Sequence, residues 1–425
     1  MTLEPYPAVL AAAGAGDFER AALIFGALLV LGALVSGIAR RSFLALTPVF
    51  VLAGFALGEG GLGVLGFDPT SGFVAQLASV ALIVILFRDG LEVEGELLQK
   101  AWHLPVRKLV VAMPVTAGIV AVCTRALTDL GWTECFLVGA LLAPTDPVLS
   151  SGVVTNARVP RIVRHSLNLE SGLNDGLALA PVLALIAVLS SDGDFVWWQF
   201  VVQDLGVGLA FGVAIGYVAS RLLPRDGALT GGIPPHQRSL YALGVAFLTY
   251  GATVLPPAGN GYVAVFVCAI TLGIRRPDIR HYFEQRADDV VEIVKLGVFV
   301  VFGSLLTLDG LTADGPAALA LVLVTLLFAR PAAVLLALAG TGTPRAQVAF
   351  MAWFGPKGVA TMAFSLLVLA STGVVAAERI FNLCAVVVLC SIVAHGLSDT
   401  PGVGWIARRS GREEGLPAEG ARGAV

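Results

Sequence analysis

Asp146 and Asp175 stand where apolar sequence would be expected to exclude them. Asp146 lies in CFLVGALLAPTDPVLSSGVV (135–154), and Asp175 in SLNLESGLNDGLALAPVLALIAVL (166–189). A carboxylate at membrane depth is costly and marks, by default, the path of an ion or a proton. Pro144 and Pro147 flank Asp146. Proline has no N–H and clashes with the preceding turn, so the helix carrying Asp146 is interrupted. Unwinding frees backbone carbonyls beside two acids, which suits a hard cation that prefers oxygen ligands. Burial and a like-charged neighbour both favour the protonated form of a carboxylate. Such a site takes either a cation or a proton. Competition between them suffices for exchange, provided the empty site does not cross.

The elements that position these acids follow from composition. Of 425 residues, 57% are hydrophobic and 13% charged, with a mean hydropathy of +0.86. A soluble domain carries about a quarter charged residues. An all-α polytopic protein embedded in a lipid bilayer is expected. At about 20 apolar residues per helix, about 13 transmembrane spans are predicted. They are 19–38, 43–58, 73–90, 106–127, 132–154, 165–190, 198–222, 239–255, 261–275, 288–307, 316–339, 346–370 and 378–398. Basic residues gather in alternate loops, among them Arg40, Arg41, Arg107, Lys108, Arg158, Arg164, Arg275, Arg276, Arg408 and Arg409. Asp129, Asp309, Asp314 and Glu378 occupy the intervening ones. Positive charge collects on the cytoplasmic side. This predicts residues 1–18 as a short extracellular N-terminus, 19–398 as the transmembrane domain and 399–425 as a cytoplasmic, disordered tail. No cleavable signal, nucleotide-binding loop or nucleic-acid-binding feature is read, and no cofactor. Cys123, Cys135, Cys268, Cys384 and Cys390 have no metal-type spacing and read as small buried hydrophobes.

Many secondary transporters consist of two inverted halves with a broken helix at the same rank. If spans one to six and eight to thirteen are such six-helix repeats, span five matches span twelve. Span five carries APTDP (143–147) and span twelve FGPKG (354–358), each an interruption in mid-span. Two crossing broken helices are therefore expected. Lys357 brings a positive charge to offset carbonyl-rich helix ends. A turn at the membrane surface is the alternative reading of GPKG.

APTDP, then ESGLND (170–175), an Arg–Pro pair at 330–331 and GPKG together resemble the monovalent cation:proton antiporter family, most closely its NhaP-type sodium/proton antiporters. The resemblance covers about 19–398. It implies an ion site formed by Thr145, Asp146, Ser171 and Asp175, with Na⁺ held at Asp146 and Asp175. Asn174 stands where electrogenic relatives carry a second aspartate, which implies electroneutral one-for-one exchange; by its own chemistry it reads as a structural amide. The resemblance also joins Glu170 to Arg330, as the cost of an unpaired buried charge demands. A homodimer in the cell membrane is implied as well.

Span three departs from the pattern. It reads LFRDGLEVEGE (86–96), with Arg88 where relatives carry a glutamate. Either Asp89 takes over that contact or the contact is absent. Glu92, Glu94 and Glu96 read as a solvated face, with a cation-attracting funnel as the sharper alternative. His103, His165, His236, His281 and His395 form no constellation and read as surface residues. The expected function is a non-enzymatic secondary antiporter exchanging Na⁺ or Li⁺ for H⁺ by alternating access, serving pH homeostasis. K⁺/H⁺ exchange is a close alternative and sodium-coupled solute symport a more distant one. A channel or an intramembrane aspartyl enzyme fits less well.

Overall fold

The structure is a computed structural model that describes residues 26, 27, 29, 30, 46–69, 72–93, 103–146, 151–191, 195–223, 234–255, 259–371 and 373–413. All regular structure among them is helical. The helices are α1 (Leu46–Leu57), α2 (Gly72–Glu92), α3 (His103–Leu127), α4 (Trp132–Leu142), α5 (Ser151–Val154), α6 (Arg161–Ser190), α7 (Trp197–Leu222) and α8 (Pro235–Val254). They continue as α9 (Gly261–Arg275), α10 (Pro277–Arg286), α11 (Asp288–Ser304), α12 (Leu308–Thr312), α13 (Gly315–Leu338), α14 (Arg345–Trp353), α15 (Val359–Leu369) and α16 (Ala377–Glu413). Among the described residues six helices, α2, α3, α6, α7, α13 and α16, are long and apolar enough to cross a membrane. Shorter apolar helices include α4, α9 and α15. Most of the span expected at 19–38 lies outside the described residues, as do residues 1–18.

The packing separates the helices into two groups. In one, α3 packs on α4 and α13, α6 on α4, and α14 on α13 and α16. In the other, α1 packs on α11, α2 on α9, and α7 and α8 on α9. The groups meet along a seam where α6 and α15 lie against α2, and α15 also against α11. Two π-helical turns interrupt the first group, at Lys108–Ala112 in α3 and Val324–Ala329 in α13. Such turns are frequent at functional sites. The first contains Lys108 and the second ends just before Arg330, and both residues reach the same acid, as described below.

The segment expected to be a disordered tail from 399 is helical through Glu413, continuing α16 past Pro401. Val403 and Ile406 explain the difference. Both are buried in an apolar cluster with Phe350, Phe354, Val153 and Val163, so this part of the chain has a surface to bury. Residues 414–425 lie outside the described residues. At the start of α16, Arg379 makes ion pairs of 2.6 Å to both Asp314 and Asp129, tying it to the start of α13 and the α3–α4 loop. The cysteines are free thiols.

Burial of an aliphatic side chain stabilises by about 1.5–3 kcal/mol. Ending the chain at residue 398 is therefore expected to lower the thermal midpoint of the detergent-purified protein by several degrees. Val403→Ala with Ile406→Ala in the full chain should reproduce most of that drop. An unchanged midpoint for both would show that the extension does not dock.

Candidate functional site

Both interruptions are present, and they touch. Helix α4 stops at Leu142, and Ala143–Asp146 are non-helical; Phe354–Gly358 are extended between α14 and α15. Ala143 still has helical dihedrals (φ −74°, ψ −45°); Pro144 and Pro356, which lack an N–H and crowd the preceding turn, fall within the two breaks. The Asp146 N–H donates to Pro356 O at 2.9 Å, and the Val359 N–H donates to Asp146 Oδ2 at 3.1 Å. Asp146 thus caps the positive end of α15, where a carboxylate is favoured. In return, Lys357 Nζ donates to Pro144 O at 3.1 Å and Ala143 O at 3.3 Å. Its side chain is 0% exposed. The Lys357 N–H donates to Ser391 Oγ on α16 at 2.9 Å. Gly358 permits this approach, since a Cβ there would overlap the Asp146 carboxyl group.

Helix α6 presents its polar residues on neighbouring faces, because positions four apart stack along a helix. One face carries Glu170 and Asn174, the other Ser171 and Asp175. Asn174 Nδ2 donates to Thr145 O and Oγ1, both at 2.9 Å, and Ser171 Oγ donates to Thr145 O at 2.9 Å. Thr145 O, expected as a cation ligand, is therefore occupied by two protein donors. Its geometry is that of a tie between the first break and α6. Asn174 serves the same tie.

Glu170 faces two cations. Arg330 donates to it at 2.9 and 3.3 Å, and Lys108 Nζ donates at 2.6 Å while also reaching Ser166 O. Arg330 Nη2 further donates to Met351 O and Phe354 O at the end of α14. A Cβ at Gly355 would overlap this guanidinium.

Asp146 and Asp175 line one cavity of about 320 Å³ at the seam. Ser171, Asn168 and Thr155 line it from the first group of helices; Arg88, Asp89, Glu92 and Lys295 line it from α2 and α11. Asp175 Oδ1 is buried without a hydrogen-bond partner. Asp89 is buried among the lining residues, whereas Arg88 makes a 3.0 Å ion pair with Glu92 along α2. Glu92 lines the cavity and is half-buried, its side chain 31% exposed; Glu94 and Glu96 lie outside the described residues. Thr145 lines a separate, smaller hollow of about 10 Å³ with Asp146 and Ser171.

Three groups escaped the sequence reading. Lys108, which the charge pattern groups with the loop cations, is 1% exposed and paired with Glu170. Lys295 interrupts the apolar run of α11, the same signal that drew attention to Asp146. His395, expected on the surface, is buried: Nε2 lies 2.9 Å from Trp353 O and Nδ1 2.8 Å from Ser391 O. It packs beside the second break, stacked on Trp353.

The sequence profile of the family described as "Sodium/hydrogen exchanger, transmembrane" matches residues 26–405. The chain belongs to that family. Relatives include a K(+)/H(+) antiporter NhaP of Alkalimonas amylolytica, 28% identical over 93% of this chain and 69% of that protein. A K(+)/H(+) antiporter NhaP2 of Shewanella oneidensis is 28% identical over 89% of this chain and 65% of its own length. The chain thus spans about two thirds of the length of these two relatives. Na(+)/H(+) antiporter 1 of Methanocaldococcus jannaschii is 25% identical over 81% of this chain and 82% of that protein. The structure of the sodium proton antiporter MjNhaP1 of that organism superimposes with a TM-score of 0.78, at 20% identity, covering 92% of this chain and 99% of that one. That likeness is one of fold. The family member described here is accordingly a multi-pass, NhaP-type exchanger whose buried polar residues converge on the two breaks.

Removing one partner of a buried ion pair leaves an uncompensated charge and costs about 3–5 kcal/mol. Glu170→Ala strands both Lys108 and Arg330. It is expected to lower the thermal midpoint by ten degrees or more, or to abolish the folded protein, where Lys108→Met has a smaller effect. Equal, small shifts for both variants in a detergent melt would contradict the geometry.

Proposed function

We propose that this exchanger moves a monovalent cation, Na⁺ or Li⁺, against H⁺ by alternating access, one for one, across the cell membrane. The observation that carries the reading is the convergence of Asp146 and Asp175 on one cavity at the crossing of two interrupted helices. Asp175 keeps an oxygen without a protein partner, which suits a group that must accept a cation and a proton in turn. Ser171 and Asp146 complete the oxygen-rich wall; Asp89 adds a third carboxylate from the facing helix group. Asn174 contributes no charge, and its amide is engaged with Thr145, which supports two exchanging carboxylates and electroneutral turnover.

Potassium is the second reading. Two relatives matched over 93% and 89% of this chain are named K(+)/H(+) antiporters, while one of which this chain covers 82% is named a Na(+)/H(+) antiporter. The matched ranks of the two breaks support two inverted halves, and the alternation of basic loops supports thirteen spans with the N-terminus outside and the C-terminus cytoplasmic. A homodimer is part of the same proposal.

Everted vesicles carrying a pH gradient test the reading when Na⁺, Li⁺ and K⁺ are added in turn. Collapse of the gradient by Na⁺ or Li⁺, lost in Asp146→Asn and Asp175→Asn, is expected. A response to K⁺ alone would favour the second ion. Exchange that persists at the wild-type rate in Asp175→Asn would sink the mechanism. Clamping the membrane potential should leave the rate unchanged; a strong dependence would overturn one-for-one stoichiometry.

A further inference from the structure

One charge in the cavity has no part in the exchange just proposed. Lys295 lies on α11, is 4% exposed, and lines the same cavity as Asp89, Asp146 and Asp175. Among the described residues it forms no direct ion pair. The other lining cation, Arg88, is paired with Glu92. Lys295 nevertheless lies close enough to act electrostatically on both Asp89 and Asp175. The charged groups facing it are Arg88, Asp89 and Glu92 from α2, Asp146 from the first break and Asp175 from α6.

A buried ammonium needs compensation. Here the compensating carboxylates include those that must receive the transported cation. The two demands cannot both be met in full, so an arriving cation works against Lys295. We infer that Lys295 is a tethered competitor for the Asp146–Asp175 site, a residue that sets cation affinity by balancing the carboxylates when neither cation nor proton is bound. The inference rests on the exchange reading and adds to it a specificity-determining residue.

Position strengthens the case. Lys295 and Asp89 belong to one group of helices, Asp146 and Asp175 to the other. The attraction therefore acts across the seam. It is greatest on the bare carboxylates and falls when a cation or proton neutralises them. A charged, empty site is held against the facing helices, and a loaded one is released, which is what coupled exchange requires of an empty carrier. At an effective dielectric of about 20, a unit charge several ångströms away changes occupancy by roughly ten- to a hundredfold.

The test uses the full chain in proteoliposomes with an internal pH dye, comparing wild type, K295M, K295Q and K295R. K295M and K295Q are expected to lower the KM for the transported cation about tenfold. They should also move the pH of half-maximal exchange upward, because bare carboxylates without the ammonium hold protons more tightly. K295R keeps the charge and should stay within twofold of wild type. In an Asp89→Asn background, K295M should still lower KM. If the effect vanishes there, Lys295 only balances Asp89 and the inference fails. It also fails if K295M and K295Q exchange with the wild-type KM and pH midpoint, or with a raised KM. A binding readout separates this from the exchange reading: the Na⁺ concentration giving half-maximal thermal stabilisation in detergent should fall about tenfold in K295M. Absence of exchange by the wild type would overturn the proposed function, while the stabilisation assay would still decide the role of Lys295.

Discussion

A helix interrupted in hydrocarbon must find a partner for each carbonyl and amide it frees. In this protein the two interruptions supply each other. Pro356 O receives the Asp146 N–H, the Asp146 carboxylate receives the Val359 N–H, and Lys357 covers Ala143 O and Pro144 O. Neither break could persist alone, because its open backbone would face apolar side chains. The position of Asp146 follows from this mutual dependence. Its main chain and one carboxylate oxygen are fixed by the opposite helix, and its outward side is left to the cavity. The need for close approach then explains Gly358, where any side chain would displace the acid.

Compensation of charge follows the same logic one layer out. Arg330 reaches the carbonyls at the end of α14 and both oxygens of Glu170, while Lys108 shares Glu170 Oε2 with it. A buried ion pair of this kind contributes little net stability, since desolvation offsets the attraction. What it does is fix geometry: α3, α6, α13 and α14 meet at one carboxylate, and π-helical turns adjust the register of the two cation-bearing helices so that they reach it. The proposed ion site therefore sits on helices that are tied to one another through Glu170.

Much of this was legible in the residues. Acids in apolar runs, prolines beside Asp146 and Pro356 between glycines are local signals, and they located the breaks and the acids that line the cavity. Glu170 and Arg330 could be matched because each needed a partner. Lys108 was read with the loop cations because hydropathy cannot tell the last exposed residue of a loop from the first buried residue of a helix. Nor does any local pattern reveal that Thr145 O would be taken by Ser171 and Asn174, since that depends on how α6 is rotated. The helix beyond 398 was missed for a related reason: Val403 and Ile406 are too sparse to signal a helix until the cluster they enter is known. The burial of His395 likewise depends on Trp353, 42 residues away.

The rotation of α6 decides which acid is bound to fixed cations and which, in the proposed exchange, is left for a mobile one. Glu170 and Asp175 are the same kind of group on the same helix, five residues and hence about 140° apart around its axis. Glu170 points to two fixed cations, so its charge is permanently balanced and a mobile cation has nothing to gain there. Asp175 points to an open cavity and keeps an oxygen unclaimed. Slipping the register by one residue would bring Ser171 to the cations and leave a charge pair without its acid. In the proposed exchange, the distinction between holding the fold and carrying the ion therefore lies in orientation rather than residue type. Asn174 and Ser171, each one turn from an acid, enforce that orientation by gripping Thr145 from both faces.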